Sequence, residues 1–272
     1  MNSLRQKNAG IRPVSNKLLL IFALLLFIGV IELVLIWQQL ADIDTANTNS
    51  PFANAEKSNS QAFDKTKHPT IEASSLWAVV NKGRSLPADY VPELVVPPVT
   101  LRNSPSSNEM KLRPDAAKAM ETMFAAAAKD KILLRLSSGY RSYDTQRAIY
   151  NREVRTYGQT QADRQSARPG HSEHQTGLAA DISPKDGRCD IADCFADTDE
   201  GKWLAKNAYK FGFILRYPKG KDNLTGYKYE SWHFRYVGKE LAKQIYNRGQ
   251  TLEQFFNLPN YTSYPATVFK LN

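Results

Sequence analysis

Residues 18–37 (LLLIFALLLFIGVIELVLIW) are apolar or glycine at every position except Glu32. As a helix rising about 1.5 Å per residue, such a run spans roughly 30 Å, the thickness of a bilayer's hydrocarbon core. A helix buried in a soluble domain keeps a polar face, and this one has none. Arg5, Lys7, Arg12 and Lys17 precede it with no acid among them. The positive-inside rule then keeps the N-terminus in the cytoplasm and exports the chain beyond Trp37. The alternative is a cleaved signal peptide. Against it, the run is longer than an h-region and no small-x-small site comes directly after it. The reading is a basic segment at 1–17 and an uncleaved transmembrane anchor at 18–37, with Glu32 protonated in lipid or paired with a partner helix.

Charge divides at the same place. The chain holds 36 Lys and Arg against 27 Asp and Glu, a formal +9 that taken whole invites a nucleic-acid partner. Without the four N-terminal cations and Glu32, 32 stand against 26, a dispersed +6 with no basic block. No nucleic acid is expected, and an exported domain would not meet one. Residues 38–70, rich in Asn, Ser, Thr, Ala and Lys, read as a flexible linker with His68 solvated in it. Residues 71–272 are then one domain of ordinary size, with apolar content (42% over the chain) sufficient for a core.

Within that domain, Leu76–Val80 is a short apolar segment closed by the turn Asn81-Lys82-Gly83. Ala116, Met120, Met123, Phe124 and Ala127 recur at helical spacing behind Pro114, which predicts a helix over Asp115–Lys129. Tyr143–Tyr157, Asp199–Phe211 and Lys239–Asn247 are further helices, the first two stopped by Gly158 and Gly212. Ile132–Leu136, Gly177–Ile182, Phe213–Tyr217 and Trp232–Val237 read as strands. The last two strands have no helix between them. The fold class is therefore α+β, a mainly antiparallel sheet flanked by helices.

Beyond the linker there are three histidines, His171, His174 and His233. A catalytic zinc site takes three N or O ligands and leaves one position open for water. His174 in a loop, with Asp181 and His233 on different strands, would converge on such a site, and Glu230 would lie beside the water. Each residue also reads as ordinary: an exposed histidine, a turn-forming Asp, a solvated strand-end Glu. The helix-borne H-E-x-x-H pattern is absent.

Ser172-x-His174-x-x-Gly177-x-Ala179-x-Asp181 followed by Glu230-x-x-His233 resembles the zinc D-alanyl-D-alanine carboxypeptidases of the VanY type. The likeness extends to Ser138-Gly139-Tyr140-Arg141-Ser142 with Gln146, and to Asn81-Lys82 with Leu86-Pro87-x-x-Tyr90, covering about residues 76–247. It implies a single zinc peptidase domain holding one Zn²⁺ per chain on His174, Asp181 and His233. Glu230 would be the general base and Arg141 the donor to the scissile carbonyl oxygen. Ser172 and Gln146 would hold the substrate's terminal residue and its carboxylate, with Trp232 as pocket wall. His171 falls on no ligand position, and Glu173 reads as a surface residue. The implied activity is removal of the C-terminal D-alanine from peptidoglycan stem peptides, on the outer side of a bacterial cytoplasmic membrane. The alternatives are an L,D-carboxypeptidase acting on tetrapeptide stems and a non-catalytic peptidoglycan-binding module; an endopeptidase and a D,D-dipeptidase share the same motifs.

Cys189 and Cys194 flank Asp190-Ile191-Ala192-Asp193. In an exported chain they are expected to form a disulfide closing a short loop, and two thiolates alone complete no zinc site. Asp186, Asp190, Asp193, Asp197 and Asp199 lack calcium-loop spacing and read as a solvated loop.

Overall fold

A computed structural model describes residues 63–272. The expected basic segment, the transmembrane anchor and nearly all of the linker lie outside the described residues. Among those described, no helix is long and apolar enough to cross a membrane.

The elements run along the chain as β1 (Arg84–Ser85), α1 (Pro114–Lys129), β2 (Leu134–Ser138), α2 (Tyr143–Tyr157), α3 (Gln159–Gln165), β3 (Ala179–Pro184), α4 (Asp199–Asn207), β4 (Phe213–Leu215), α5 (Asp222–Thr225), β5 (His233–Tyr236), α6 (Lys239–Arg248), α7 (Leu252–Phe256) and β6 (Phe269–Lys270). Four strands form one sheet in the order β2-β3-β5-β4, and every neighbouring pair is antiparallel. This is the expected mixed fold with an antiparallel sheet, but β4 and β5 are not free of a helix between them as expected: the one-turn α5 lies there, too short for a crossover and so compatible with their antiparallel pairing. A small parallel pair, β1 with β6, brings the C-terminal tail beside residues 84–85.

The core lies between α1 and the sheet. Pro114 opens α1 at a position where its missing N–H is no loss. Ala116, Met120, Met123, Phe124 and Ala127 then bury one stripe against Leu134, Leu136, Ala180, Ile182 and Phe234. Side chains alternate along a strand, so a β3 that sends Ala180 and Ile182 into this core turns Asp181 to the opposite face. Asp181 pairs directly with His233 across the ladder, and Ser138 pairs with Asp181 on its other side. Cross-strand partners share a face. Sheet register alone therefore sets Asp181 and His233 side by side.

Helix α2 has the expected bounds, its first turn capped by Ser142 Oγ accepting from Thr145 N at 3.2 Å. The helix expected through Phe211 is α-helical only to Asn207. It tightens into a 3₁₀ turn at Ala208–Phe211 before Gly212, which at φ +91 stops it. The end of the expected linker is part of the folded unit. Arg84 Nη2 and Val79 N both donate to Thr70 O. His68 is half-buried, its ring edge-on to Trp77 at 4.8 Å, so it is not solvated as expected.

Candidate metal centre and catalytic cleft

His174 sits in the turn Glu173–Thr176, which closes on Gly177 in the left-handed region at φ +68 and leads straight into β3. The His174 Nδ1–Gly139 O distance is 2.6 Å, which leaves Nε2 facing the site. Gly139 has no room for a side chain, because a Cβ there would lie 2.4 Å from Lys111 O. That close approach sets the carbonyl that orients His174.

His174 Nε2 lies 3.4 Å from Asp181 Oδ2, and His233 Nδ1 lies 3.3 Å from Asp181 Oδ1. The two rings are nearly perpendicular, 4.9 Å between centroids. One donor atom from each of the three residues lies within 4.8 Å of the others, and all three residues are buried. Asp181 Oδ1 has no hydrogen-bond partner despite its burial. A buried carboxylate between two imidazoles, with an oxygen unsatisfied, is a candidate ligand set for a cation, and two His plus one carboxylate are donors that suit Zn²⁺. Burial works against ionisation of Asp181, but His174 and His233 beside it hold its carboxyl well below the usual range.

Glu230 Oε2 lies 3.6 Å from His233 Nδ1. Burial pushes its carboxyl up to about 7, the neighbouring Asp181 charge adding to the effect and His233 opposing it. Arg141 stands on the other side. Its Nη2 is 3.9 Å from Asp181 Oδ2 and donates to Ser138 Oγ at 3.2 Å, while Nη1 donates to Gln146 Oε1 at 2.9 Å. These groups line one open cleft of about 510 Å³ with Ser172, Trp232, Tyr217 and Tyr227.

This arrangement has counterparts in known proteins. A family model described as "VanY: D-alanyl-D-alanine carboxypeptidase" matches residues 109–239. The putative carboxypeptidase YodJ of Bacillus subtilis is 43% identical over 225 residues, covering 80% of this chain and 81% of that protein. The chain belongs to the VanY carboxypeptidase family. Among solved structures, the LdcB LD-carboxypeptidase is 44% identical with a TM-score of 0.66, covering 73% of this chain and 89% of that one. A vancomycin-resistance D,D-pentapeptidase VanY of a VanB-type cassette, solved as a variant with Zn(II), is 35% identical with a TM-score of 0.55. It covers 68% of this chain and all of the other.

Several side chains of this VanY-family domain stand where sequence reasoning did not put them. Glu173 is not a surface residue: it is fully buried behind His233. Its Oε1 accepts from Arg216 Nε at 2.8 Å and Arg235 Nη1 at 3.0 Å, and its otherwise unpartnered Oε2 lies 3.7 Å from His233 Nε2. Arg216 in turn forks onto Glu253, which accepts from Asn81 as well. Burial opposes the Glu173 charge, and the two guanidinium groups outweigh it, holding the carboxyl well below the usual range. Only a long-range pairing of Arg216 and Arg235 with a loop acid would have revealed this relay, and no local motif carries it.

Gln146 lines the cleft, but its amide is engaged at both ends, accepting from Arg141 and donating to Ala167 O at 2.7 Å. His171 is buried away from the ligand set, its Nδ1 2.8 Å from Asn81 O and its ring edge-on to Tyr264. The cysteines form the expected disulfide. Asp190 in their loop is not solvated, because its Oδ1 accepts from Ser137 and Ser183 hydroxyls and its Oδ2 pairs with Arg102 and Arg135.

Proposed function

We propose that the protein is a zinc-dependent carboxypeptidase that removes the C-terminal D-alanine from peptidoglycan stem peptides. The observation that carries this is the convergence of His174, Asp181, His233, Glu230 and Arg141 on one cleft. A bound Zn²⁺ supplies a site where water ionises near neutral pH and a carbonyl is polarised.

The protein's own groups do the rest. His174, His233 and Asp181 would hold the metal, with His174 Nε2, His233 Nδ1 and the Asp181 carboxylate turned toward one another. Glu230, held by burial near neutrality, takes a proton from the attacking water on a carboxylate oxygen and passes it to the leaving amine. The Arg141 guanidinium, fixed by Gln146 and Ser138, faces the carbonyl oxygen as negative charge develops on it. Gln146 thus acts on substrate through Arg141, while Ser172 receives the terminal residue and Trp232 walls the pocket. The apolar run at 18–37 and the four cations before it support attachment to the bacterial cytoplasmic membrane, with this domain outside.

A second reading concerns the bond cut. The D,D reading has the pentapeptide stem as substrate, as for the VanY D,D-pentapeptidase. The likeness to the LdcB LD-carboxypeptidase, at higher identity and TM-score, favours an L,D-carboxypeptidase on tetrapeptide stems. Incubating the zinc-loaded protein with defined pentapeptide and tetrapeptide stems separates them by which one releases D-alanine. Release from neither, with zinc bound, would leave a peptidoglycan-binding module.

A further inference from the structure

The disulfide loop enters the catalytic cleft. Ile191, Ala192 and Asp193 line it together with Ile149 and Glu153 of α2 and Gln165 of α3. Two residues of the loop hold a backbone that L side chains avoid: Cys189 and Ile191 both have φ +51. For a β-branched residue this is a true outlier, and it persists only where the surroundings impose it. Two restraints do so here. Asp190 is tied down to β2 and β3 through Ser137, Ser183 and Arg135, and the Cys189–Cys194 bridge closes the loop above it. The result turns Ile191 partly onto the core and partly into the cleft.

The chemistry of this wall differs from that of the opposite one. There Arg141, with Gln146 behind it, serves the scissile carbonyl oxygen, and Ser172 beside them receives the terminal residue with its carboxylate. The loop offers an aliphatic side chain, a methyl group and the Asp193 carboxylate, which has no ion-pair partner among the described residues. An acid repels the terminal carboxylate and attracts a cation.

We propose that the Cys189–Cys194 bridge is a substrate-positioning device: it holds Ile191, Ala192 and Asp193 as the wall that takes the stem's aliphatic, amine-bearing side chain. This rests on the peptidase reading above and adds the part of the substrate read outside the terminal residue. The bridge acts through the loop and touches no reacting atom.

The test uses the full-length, zinc-loaded protein and two stem peptides that differ only in lysine or norleucine at the diamino position. The wild type is expected to prefer the lysine stem. Cys189→Ser with Cys194→Ser raises KM for that stem on the order of tenfold, with kcat within about twofold and zinc content unchanged. Asp193→Asn removes the lysine preference with the bridge intact. Ile191→Gly, which accepts the positive φ while deleting the apolar surface, raises KM for both stems and keeps the test valid if the double variant does not fold. An unchanged KM in both the double variant and Ile191→Gly overturns the proposal, as does a lysine preference that survives Asp193→Asn. A fall in kcat together with zinc content also overturns it, since that marks a general structural role. No D-alanine release by the wild type from either peptide sinks the underlying peptidase reading instead.

Discussion

Besides Asp181, His233 has a glutamate at each edge of its ring, and the two are opposite in character. At Nε2 stands Glu173, at 3.7 Å, fully buried between two arginines that keep it ionised. At Nδ1 stands Glu230, at 3.6 Å, nearly buried and in no ion pair with an arginine, and its desolvation outweighs His233 and the more distant Arg141 to lift its carboxyl to about 7. The same residue type, at nearly the same distance from the same ring, is held ionised on one side and held near neutrality on the other. What separates them is the charge of the second neighbour. Glu173, held by its arginines, stands 3.7 Å behind the far nitrogen of the imidazole, the place carboxylates take behind metal-binding histidines. Glu230 keeps the freedom to gain and lose a proton that a base requires.

The sharpest way to break this comparison is to neutralise each acid in turn. Glu230→Gln is expected to fold and bind zinc while losing roughly 10²–10⁴-fold in kcat, the range of a positioned acid–base group. A variant with near-full activity, measured by D-alanine release, would remove Glu230 from the base role. Glu173→Gln acts on the other quantity. It leaves Arg235 buried without its acid partner, and breaking such a pair typically costs about 3–5 kcal/mol. Denaturant unfolding should show that loss, and competition with a chelator should show zinc affinity down about 10–100-fold. Unchanged stability would mean that Glu173 does not anchor the arginines.

A smaller effect sharpens the contrast through pH in the metal-free protein. Glu230 has a folded pKa raised to about 7, so its contribution to stability is full below its unfolded value near 4.5 and is lost as pH rises through 7. His233 is raised to about 9 because the Asp181 and Glu173 carboxylates beside it outweigh burial; its contribution is full below 6.5 and is lost toward 9. Both act in the same direction, while the buried His174 and His171, with lowered pKa values, gain stability as pH rises toward 6.5 and oppose them there. The melting midpoint of chelated wild type should therefore fall between pH 7 and 9, and the difference between Glu230→Gln and wild type should grow between pH 4.5 and 7 and stay constant above it. A midpoint that rises between pH 7 and 9, or a difference that does not change below 7, would contradict the corresponding assignment.

The convergence of His174, Asp181 and His233 was legible in the sequence because Asp181 and His233 lie on strands, where register makes them neighbours, and because His174 enters through a glycine-closed turn just before β3. The anchor acid was not. Glu173 lies next to a ligand in a polar stretch, and its partners Arg216 and Arg235 come from 43 and 62 residues away. Local patterning holds no trace of such pairs. The same limit hid Asp190, one of several loop acids, whose burial depends on serines and arginines of other elements. The tail after α7 has no periodicity, yet β6 closes beside β1 through backbone pairing that any residues could make. Helix bounds were clearest where caps are chemical, as at Ser142 and Gly158, and blurred where α4 tightens without a marker.

The central claim is that His174, Asp181 and His233 hold one zinc ion on which hydrolysis depends. The direct measurement is zinc content by elemental analysis, read together with D-alanine release from stem peptides, before chelation, after it, and after zinc is restored. The account predicts one zinc per chain, loss of release on chelation, recovery with zinc, and no recovery in His233→Ala. Full release by the chelated protein, or by His233→Ala without metal, would contradict it.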